Sequence, residues 1–273
     1  LHKLVYILGK LDPRDELWKK RQLAKVDQLI ELVRELEDSH FRERAIADAE
    51  AQRQDIEDSF TRNELGYGRK LYLIENCLYG VDIQPIAAQI SKLRFFISLI
   101  VDQTVDSSRE NFGIRPLPNL ETKFVTADTL IQIEKPKTQT ELFEITKISE
   151  LQRELKKVRH SLFSAKTPRT KNKYRERDKE LRDAIAEELK KSGWVSDDAE
   201  NLAAWDPYDQ NASAPYFDPE WMFGLKLFDI VIGNPPYIQI QKFPKKQKDI
   251  WVGQEFETYA ATGDIYCLFY ERG

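Results

Sequence analysis

Leu1, Leu4, Val5, Leu8 and Leu11 recur at intervals of three and four, the spacing of one helical face, and Asp12-Pro13 then punctuates the chain. The same period continues from Asp15 to about Phe60. Leu23, Val26, Leu29, Ile30, Val33 and Leu36 mark one stripe, then Phe41, Ala45, Ala49, Ile56 and Phe60 another, with a break expected near Asp38-Ser39-His40, where Ser39 suits a helix cap. The character changes at Cys77-Leu78-Tyr79-Gly80-Val81-Asp82-Ile83, a short apolar run ending on an acid, which predicts a buried strand. Gln84-Pro85 then opens a helix carried by Ile86, Ile90, Leu93, Phe96, Ile97 and Ile100. Lys123-Phe124-Val125-Thr126-Ala127-Asp128 reads as a second short strand ending on an acid, and Phe228-Asp229-Ile230-Val231-Ile232-Gly233 as a third. Strand followed by helix is the rhythm of an α/β fold.

That rhythm is interrupted between about 141 and 191. Leu142, Ile145, Ile148, Leu151, Leu155, Val158 and Leu162 form one helical stripe, Pro168 breaks it, and Leu181, Ile185 and Leu189 resume it. An antiparallel helical hairpin set between two strands is the expectation. Gly263-Asp264-Ile265-Tyr266-Cys267-Leu268-Phe269-Tyr270 begins like a helix, with Asp264 near its N-terminus.

Composition alters little of this. The 273 residues are 41% hydrophobic, enough for a real core, and no apolar run approaches the roughly 20 residues that span a bilayer. Forty-two Lys and Arg against 46 Asp and Glu leave a net charge of −4, so any nucleic-acid surface must be local. Cys77 and Cys267, far apart in apolar company, fit neither a disulfide scaffold nor a CxxC metal site and suit buried thiols in a reducing, cytoplasmic setting. Trp205, Trp221 and Trp251 read as packing residues, and His2, His40 and His160 have no partner in sequence. The apolar ends, from Leu1 and up to Gly273, suit a piece of a longer polypeptide.

The candidate chemistry lies in Asn234-Pro235-Pro236-Tyr237, directly after the third predicted strand. Ligands of open α/β sheets bind outside the carboxyl ends of strands. Two prolines fix the backbone there and remove two donors, leaving carbonyls free to accept. Asn234 adds a side-chain acceptor, and Tyr237 a flat face on which a planar group can stack. Converging acceptors beside an aromatic plane suit an exocyclic amino group, and holding both its protons makes the nitrogen a nucleophile. A rigid Pro-Pro turn with a capping Asn is the plainer reading of the same four residues. Asp82 and Asp128, each closing a short strand, add acceptors of the kind that hold ribose hydroxyls or a base amino group, although either alone reads more readily as a turn residue or helix cap.

Taken in order, Tyr79 to Pro85, Thr126 to Leu130, Phe228 to Ile238 and Asp264 to Phe269 resemble the motifs of S-adenosylmethionine-dependent DNA N6-adenine methyltransferases, especially the large single-chain enzymes of type IIG restriction-modification and BREX-like phage-exclusion systems. The resemblance implies an incomplete Rossmann-like class I methyltransferase sheet spanning 1–273 as a partial catalytic domain, with helical insertions at about 15–60 and 141–191. The glycine-rich cofactor loop and the target-recognition domain of the family have no counterpart in these residues. By the resemblance, S-adenosylmethionine is the cofactor, with Asp82 on its ribose, Ile83 against its adenine and Asp128 on the adenine amino group. Asn234 and the carbonyl of Pro235, next to Pro236, would hold N6 of an adenine flipped from double-stranded DNA, Tyr237 would stack on it, and Tyr266 and Phe269 would line the floor between cofactor and target. No metal is required. The cut family pattern implies that these residues alone bind cofactor weakly and are inactive by themselves.

Two basic stretches bear on DNA. Lys242, Lys245, Lys246 and Lys248 follow the tetrapeptide in what reads as a single loop at the rim of its pocket. From Arg153 onward the hairpin is locally positive, and its tip, including Lys171 and Lys173, suits either phosphate contact or a solvated face. Other readings remain open here: a protein glutamine N5-methyltransferase, whose similar tetrapeptide holds a side-chain amide, or a non-catalytic helical scaffold that assembles with other subunits of a defence system. No membrane partner is expected.

Overall fold

The structure, a computed structural model, describes residues 1–13, 16–34, 46, 49–50, 53–54, 56–57, 65–108, 110–133, 142–194 and 196–273. The break expected at Asp38-Ser39-His40, with its Ser39 cap, lies outside them. The chain divides into two compact units, Leu1–Leu78 with Phe95–Leu117, and Tyr79–Arg94 with Pro118–Gly273.

The first unit is helical. It contains α1 (His2–Leu11), α2 (Glu16–Arg34), α3 (Leu65–Asn76) and the last turns of α4 (Pro85–Ile100). The α1 stripe ends where Asp12-Pro13 predicts, and the Arg69 guanidinium on α3 donates to the Asp12 carbonyl at 2.9 Å. Val26 and Ile30 of α2 pack with Ala49. Lys70 is buried, 2.8 Å from the Asp102 carboxylate and 2.9 Å from the Ser98 carbonyl, so its charge is matched. Gly66 makes room for that pair, since a Cβ there would lie 2.8 Å from the Asp102 carboxylate.

The second unit holds the sheet. Strands β1 (Gly80–Asp82) and β2 (Phe124–Thr126) run parallel, with Gly80 opposite Phe124 and Asp82 opposite Thr126. Parallel neighbours need a long crossover, and α4 lies within it. Gly80 is sterically required in this packing, because a Cβ would sit 2.5 Å from the Phe124 ring. Ala214 extends the pairing on the far side of β2, accepting from Asp128 N at 3.0 Å and donating to Thr126 O at 2.9 Å.

The 142–191 pattern folds as α5 (Leu142–Phe163) and α6 (Pro168–Lys191), antiparallel, with ion pairs from Lys147 to Glu188 and from Arg177 to Glu154. Thr167 caps α6 by accepting from Thr170 N, and Pro168 fills its first turn. The two helices share one core with the sheet: Leu155, Val158, Leu181, Ile185 and Leu189 pack with Val125, Ala127 and the aromatic residues Trp205, Trp221 and Phe223. Those aromatic residues come from the region of α7 (Ser196–Ala204) and α8 (Pro219–Phe223), which Gly224 ends at φ 68°. Trp205, Trp221 and Trp251 are all buried packing residues, as expected.

Three expectations need correction. The first strand is shorter than its apolar run: Cys77 follows directly on α3, its amide donates to Leu73 O in continuation of the helix, and its side chain is exposed. Cys267 is half-buried, so neither thiol is a core residue. The third strand does not form. Residues 228–238 carry no ladder, Ile230 and Ile232 are 76% and 91% exposed, and a strand without a neighbour has nothing to take its backbone hydrogen bonds. The described residues are therefore mixed α/β but mostly helical, around a two-stranded parallel sheet.

Candidate functional site

Asp82 ends β1 and Asp128 lies two residues past the end of the parallel neighbour β2, so both stand at the carboxyl end of the sheet. The link is direct, because Ala127 N donates to Asp82 O at 3.0 Å. Each carboxylate uses one oxygen locally: Asp82 Oδ1 accepts from Gln84 N at 2.8 Å, and Asp128 Oδ1 from Leu130 N at 3.0 Å. Among the described residues no hydrogen bond reaches the second oxygen of either. Burial raises the Asp128 carboxyl above its ordinary range, against the opposing effects of the Leu130 amide and the Arg272 charge. Ile83, next to Asp82, is 58% exposed.

The tetrapeptide is held from its C-terminal side. Ile240 N donates to Gly263 O at 2.8 Å and Ile265 N to Ile238 O at 2.9 Å, forming an antiparallel bridge between Gln239 and Asp264. This bridge leads straight into α10 (Tyr266–Arg272), so Tyr237 and Tyr266 come side by side, ring centroids 5.8 Å apart. Tyr270, one helical turn on, stands 5.9 Å from Tyr266, edge to face. Tyr237, at one end of this aromatic row, is 76% exposed, and Tyr270 at the other is exposed too. Asn234 is exposed and Pro235 half-buried, and among the described residues neither the Asn234 side chain nor the Pro235 carbonyl makes a hydrogen bond.

An apolar cluster of Leu130, Ile240, Trp251, Phe256, Ile265 and Leu268 underlies both halves, joining the turn after Asp128 to the residues that pin the tetrapeptide. Phe269 packs on this cluster, whereas Tyr266 faces Tyr237, so the two aromatic residues expected to share a floor point to different neighbours.

The lysines after the tetrapeptide are not in one loop. Lys242 ends a 3-10 turn (Ile240–Lys242), and Lys245, Lys246 and Lys248 lie on α9 (Lys245–Gly253), because Pro244 presets the backbone for a helix start. Lys242, Lys245 and Lys246 are exposed and Lys248 half-buried. On the hairpin much of the positive charge is matched: Arg159 is buried on Asp178, Arg175 pairs with Glu121, and Arg177 with Glu154 and Glu180. Lys166, Arg169, Lys171 and Lys173 at the tip make no ion pair among the described residues, and neither do Arg153, Lys157 and Lys179 along the hairpin, so the unmatched positive charge includes the tip without being confined to it. No helix among the described residues is long and apolar enough to cross a membrane.

Residues 76–273 match the model of the Eco57I restriction-modification methylase family. The chain belongs to that family. The Eco57I-type match takes in both strands, both aspartates, the tetrapeptide and α10. A protein of Methanocaldococcus jannaschii, named by inference as a type II restriction enzyme and methyltransferase, is 40% identical over 65 residues. That stretch is 24% of this chain and 5% of the relative. The chain thus spans a small part of the curated relative's length. No solved structure matches. Within this Eco57I-type region the sequence motifs point to Asp82, Asp128, Tyr237 and Tyr266. Tyr270 belongs to no motif, although its i, i+4 spacing from Tyr266 is the readable signal of a ring pair on one helix face.

Proposed function

We propose that this chain carries the catalytic part of a site-specific DNA adenine N6-methyltransferase, which modifies host DNA for restriction-modification or phage exclusion. The observation that carries the reading is the exposed Asn234-Pro235-Pro236-Tyr237 segment, pinned beside Tyr266 and joined through one apolar cluster to the turn bearing Asp128.

The donor set fits S-adenosylmethionine. Two carboxylates at the carboxyl end of the sheet, each with an oxygen to spare, are acceptors for ribose hydroxyls and an amino group, and the exposed Ile83 offers an apolar face to a purine. When bound, S-adenosylmethionine supplies a methyl group on a positively charged sulfur. The protein's part is to hold the acceptor. Asn234 Oδ1 and the Pro235 carbonyl take the two N–H bonds of the adenine amino group, while Tyr237 stacks on the base once it leaves the duplex. With both protons held, the nitrogen lone pair is localised and made nucleophilic toward the methyl group that the cofactor would supply, and one amino proton would leave to solvent. Positioning and polarisation supply the acceleration.

Mass spectrometry of DNA from cells expressing the natural full-length polypeptide tests this. N6-methyladenine is expected with the unaltered protein and is absent with Asn234→Ala or Tyr237→Ala. Unmodified DNA together with a methylated glutamine side chain in a host protein would overturn it in favour of protein methylation, and no methylation of either would favour a scaffold.

A further inference from the structure

The turn that bears Asp128 is tied to the far end of α10 by two side chains outside every motif. Gln254, at the end of α9, faces Gln132 with its whole amide: its Oε1 accepts from Gln132 N at 2.7 Å and its Nε2 donates to Gln132 O at 3.3 Å. Arg272 completes the tie. Its Nη2 donates to Leu130 O at 3.1 Å and to the same Gln254 Oε1 at 3.2 Å. The guanidinium carbon lies 4.6 Å from the centre of the Phe256 ring, a cation–π contact. A merely solvated arginine would not be sited this way: burial lowers its pKa, against Glu271 and Asp128, and its Nε is enclosed without a hydrogen-bond partner among the described residues. Leu130 is buried between them in the apolar cluster, so polar and apolar contacts act on the same few residues after Asp128.

We infer that Arg272 and Gln254 are positioning residues for the cofactor: they fix the 128–132 turn in register with α10 and so place the Asp128 carboxylate. The inference rests on the methyltransferase reading given above. Both act through Asp128, whose other restraints are its own Leu130 amide bond and the Ala214 carbonyl. Arg272 has a second role through charge, since it is the cation that favours the ionised, accepting form of Asp128 in a half-buried setting.

The test uses the natural full-length polypeptide and two independent readouts: binding of S-adenosylhomocysteine by isothermal titration, and steady-state methylation. Arg272→Gln and Gln254→Ala each weaken S-adenosylhomocysteine binding about tenfold, the scale of one charge-assisted hydrogen bond. Each raises KM for the cofactor by the same factor while kcat at saturating cofactor and KM for DNA change less than about twofold. Arg272→Lys recovers part of the affinity because the charge is kept. Unchanged S-adenosylhomocysteine affinity in both Arg272→Gln and Gln254→Ala overturns the inference, as does an equal fall in kcat, cofactor affinity and DNA affinity. Should Arg272→Gln lower the melting temperature of the ligand-free protein, Gln254→Ala decides alone. Tyr237→Ala separates this outcome from the parent reading: it keeps S-adenosylhomocysteine affinity and loses methylation. A protein that binds S-adenosylhomocysteine with these shifts but leaves DNA unmodified would refute the DNA reading and leave the positioning role standing.

Discussion

Arg159 Nε lies 2.9 Å from Asp178 Oδ1 at a point where both side chains are buried, Asp178 completely. Arg182 approaches the other oxygen at 2.9 Å and the Tyr208 hydroxyl donates to Oδ1 at 2.8 Å. The two guanidinium groups then reach outward, Arg159 to the Trp221 and Met222 carbonyls and Arg182 to those of Ala203 and Trp205. One carboxylate therefore ties α5 and α6 to the segments around α7 and α8. Removing one partner of such a set leaves a buried charge unmatched, so Asp178→Asn is expected to cost about 3–5 kcal/mol in urea unfolding. An unchanged midpoint would show that the set is not coupled to the fold.

The same carboxylate sets an acid limit. Burial alone would raise its pKa, but Arg159, Arg182 and Tyr208 together hold it below the ordinary range. A depressed folded value means stability that is present above the unfolded carboxyl pKa, about 3.9, and lost as pH falls through the lower folded value. Urea midpoints measured downward from neutral pH should drop in the unaltered protein below about pH 4. Asp178→Asn should lack this part of the fall.

Glu271 makes a parallel case at the surface. Its carboxylate accepts from Thr258 Oγ1 at 2.6 Å, Thr258 N at 2.8 Å and Glu257 N at 2.8 Å, and these bonds, the Thr258 hydroxyl first, lower its pKa. Thr258→Val removes the strongest of them. A carboxyl titration followed by NMR should show the Glu271 midpoint move up toward that of an ordinary glutamate, and an unmoved midpoint would contradict the assignment.

Gly80 faces Phe124 across the β1–β2 pair with no room for a methyl group. Overpacking of this kind costs roughly 1–3 kcal/mol, so Gly80→Ala should destabilise the protein by that amount in urea unfolding. Combining it with Phe124→Leu should recover part of the deficit if the ring is the obstacle.

For the hairpin, the unmatched cations at the tip can be tested directly. Glu replacements at Lys166, Arg169, Lys171 and Lys173 in the full-length polypeptide should reduce the slope of log binding constant against log salt by about 0.9 for each phosphate that the tip ceases to neutralise. An unchanged slope would assign the tip to solvent. The same substitution series at Lys242, Lys245 and Lys246 reports separately on the rim beyond the tetrapeptide.

What the sequence made legible followed from local chemistry. Gly80–Asp82 and Phe124–Thr126 sit inside apolar runs that end on acids, and the helical period across 142–189 breaks at Pro168 where α6 begins. The run at 228–233 has the same local pattern, but strand formation depends on a neighbour, which no local pattern encodes. Cys77 went to the helix side of its boundary because the preceding turn already offered Leu73 O to its amide. Charged positions were the least legible. Arg159, Asp178 and Arg182 look like members of a solvated face, and only the carbonyls of distant residues explain why they are buried. At the candidate site the acids and the tetrapeptide were readable as motifs. The Gln132–Gln254 and Leu130–Arg272 hydrogen bonds were not, since they join residues more than a hundred positions apart through groups that every chain possesses.

The stretch from Leu227 to Ile232 bears on how this protein behaves in a tube. Leu227, Ile230, Val231 and Ile232 are open to water along a backbone that makes no backbone hydrogen bond among the described residues, which is a template for pairing with an identical stretch on another molecule. Asp229 supplies the only charge in those six residues, and its carboxylate acts as a gatekeeper, because stacking the same strand in register would bring like charges together. Within this segment the one charge that opposes self-pairing is thus a side chain outside the proposed chemistry.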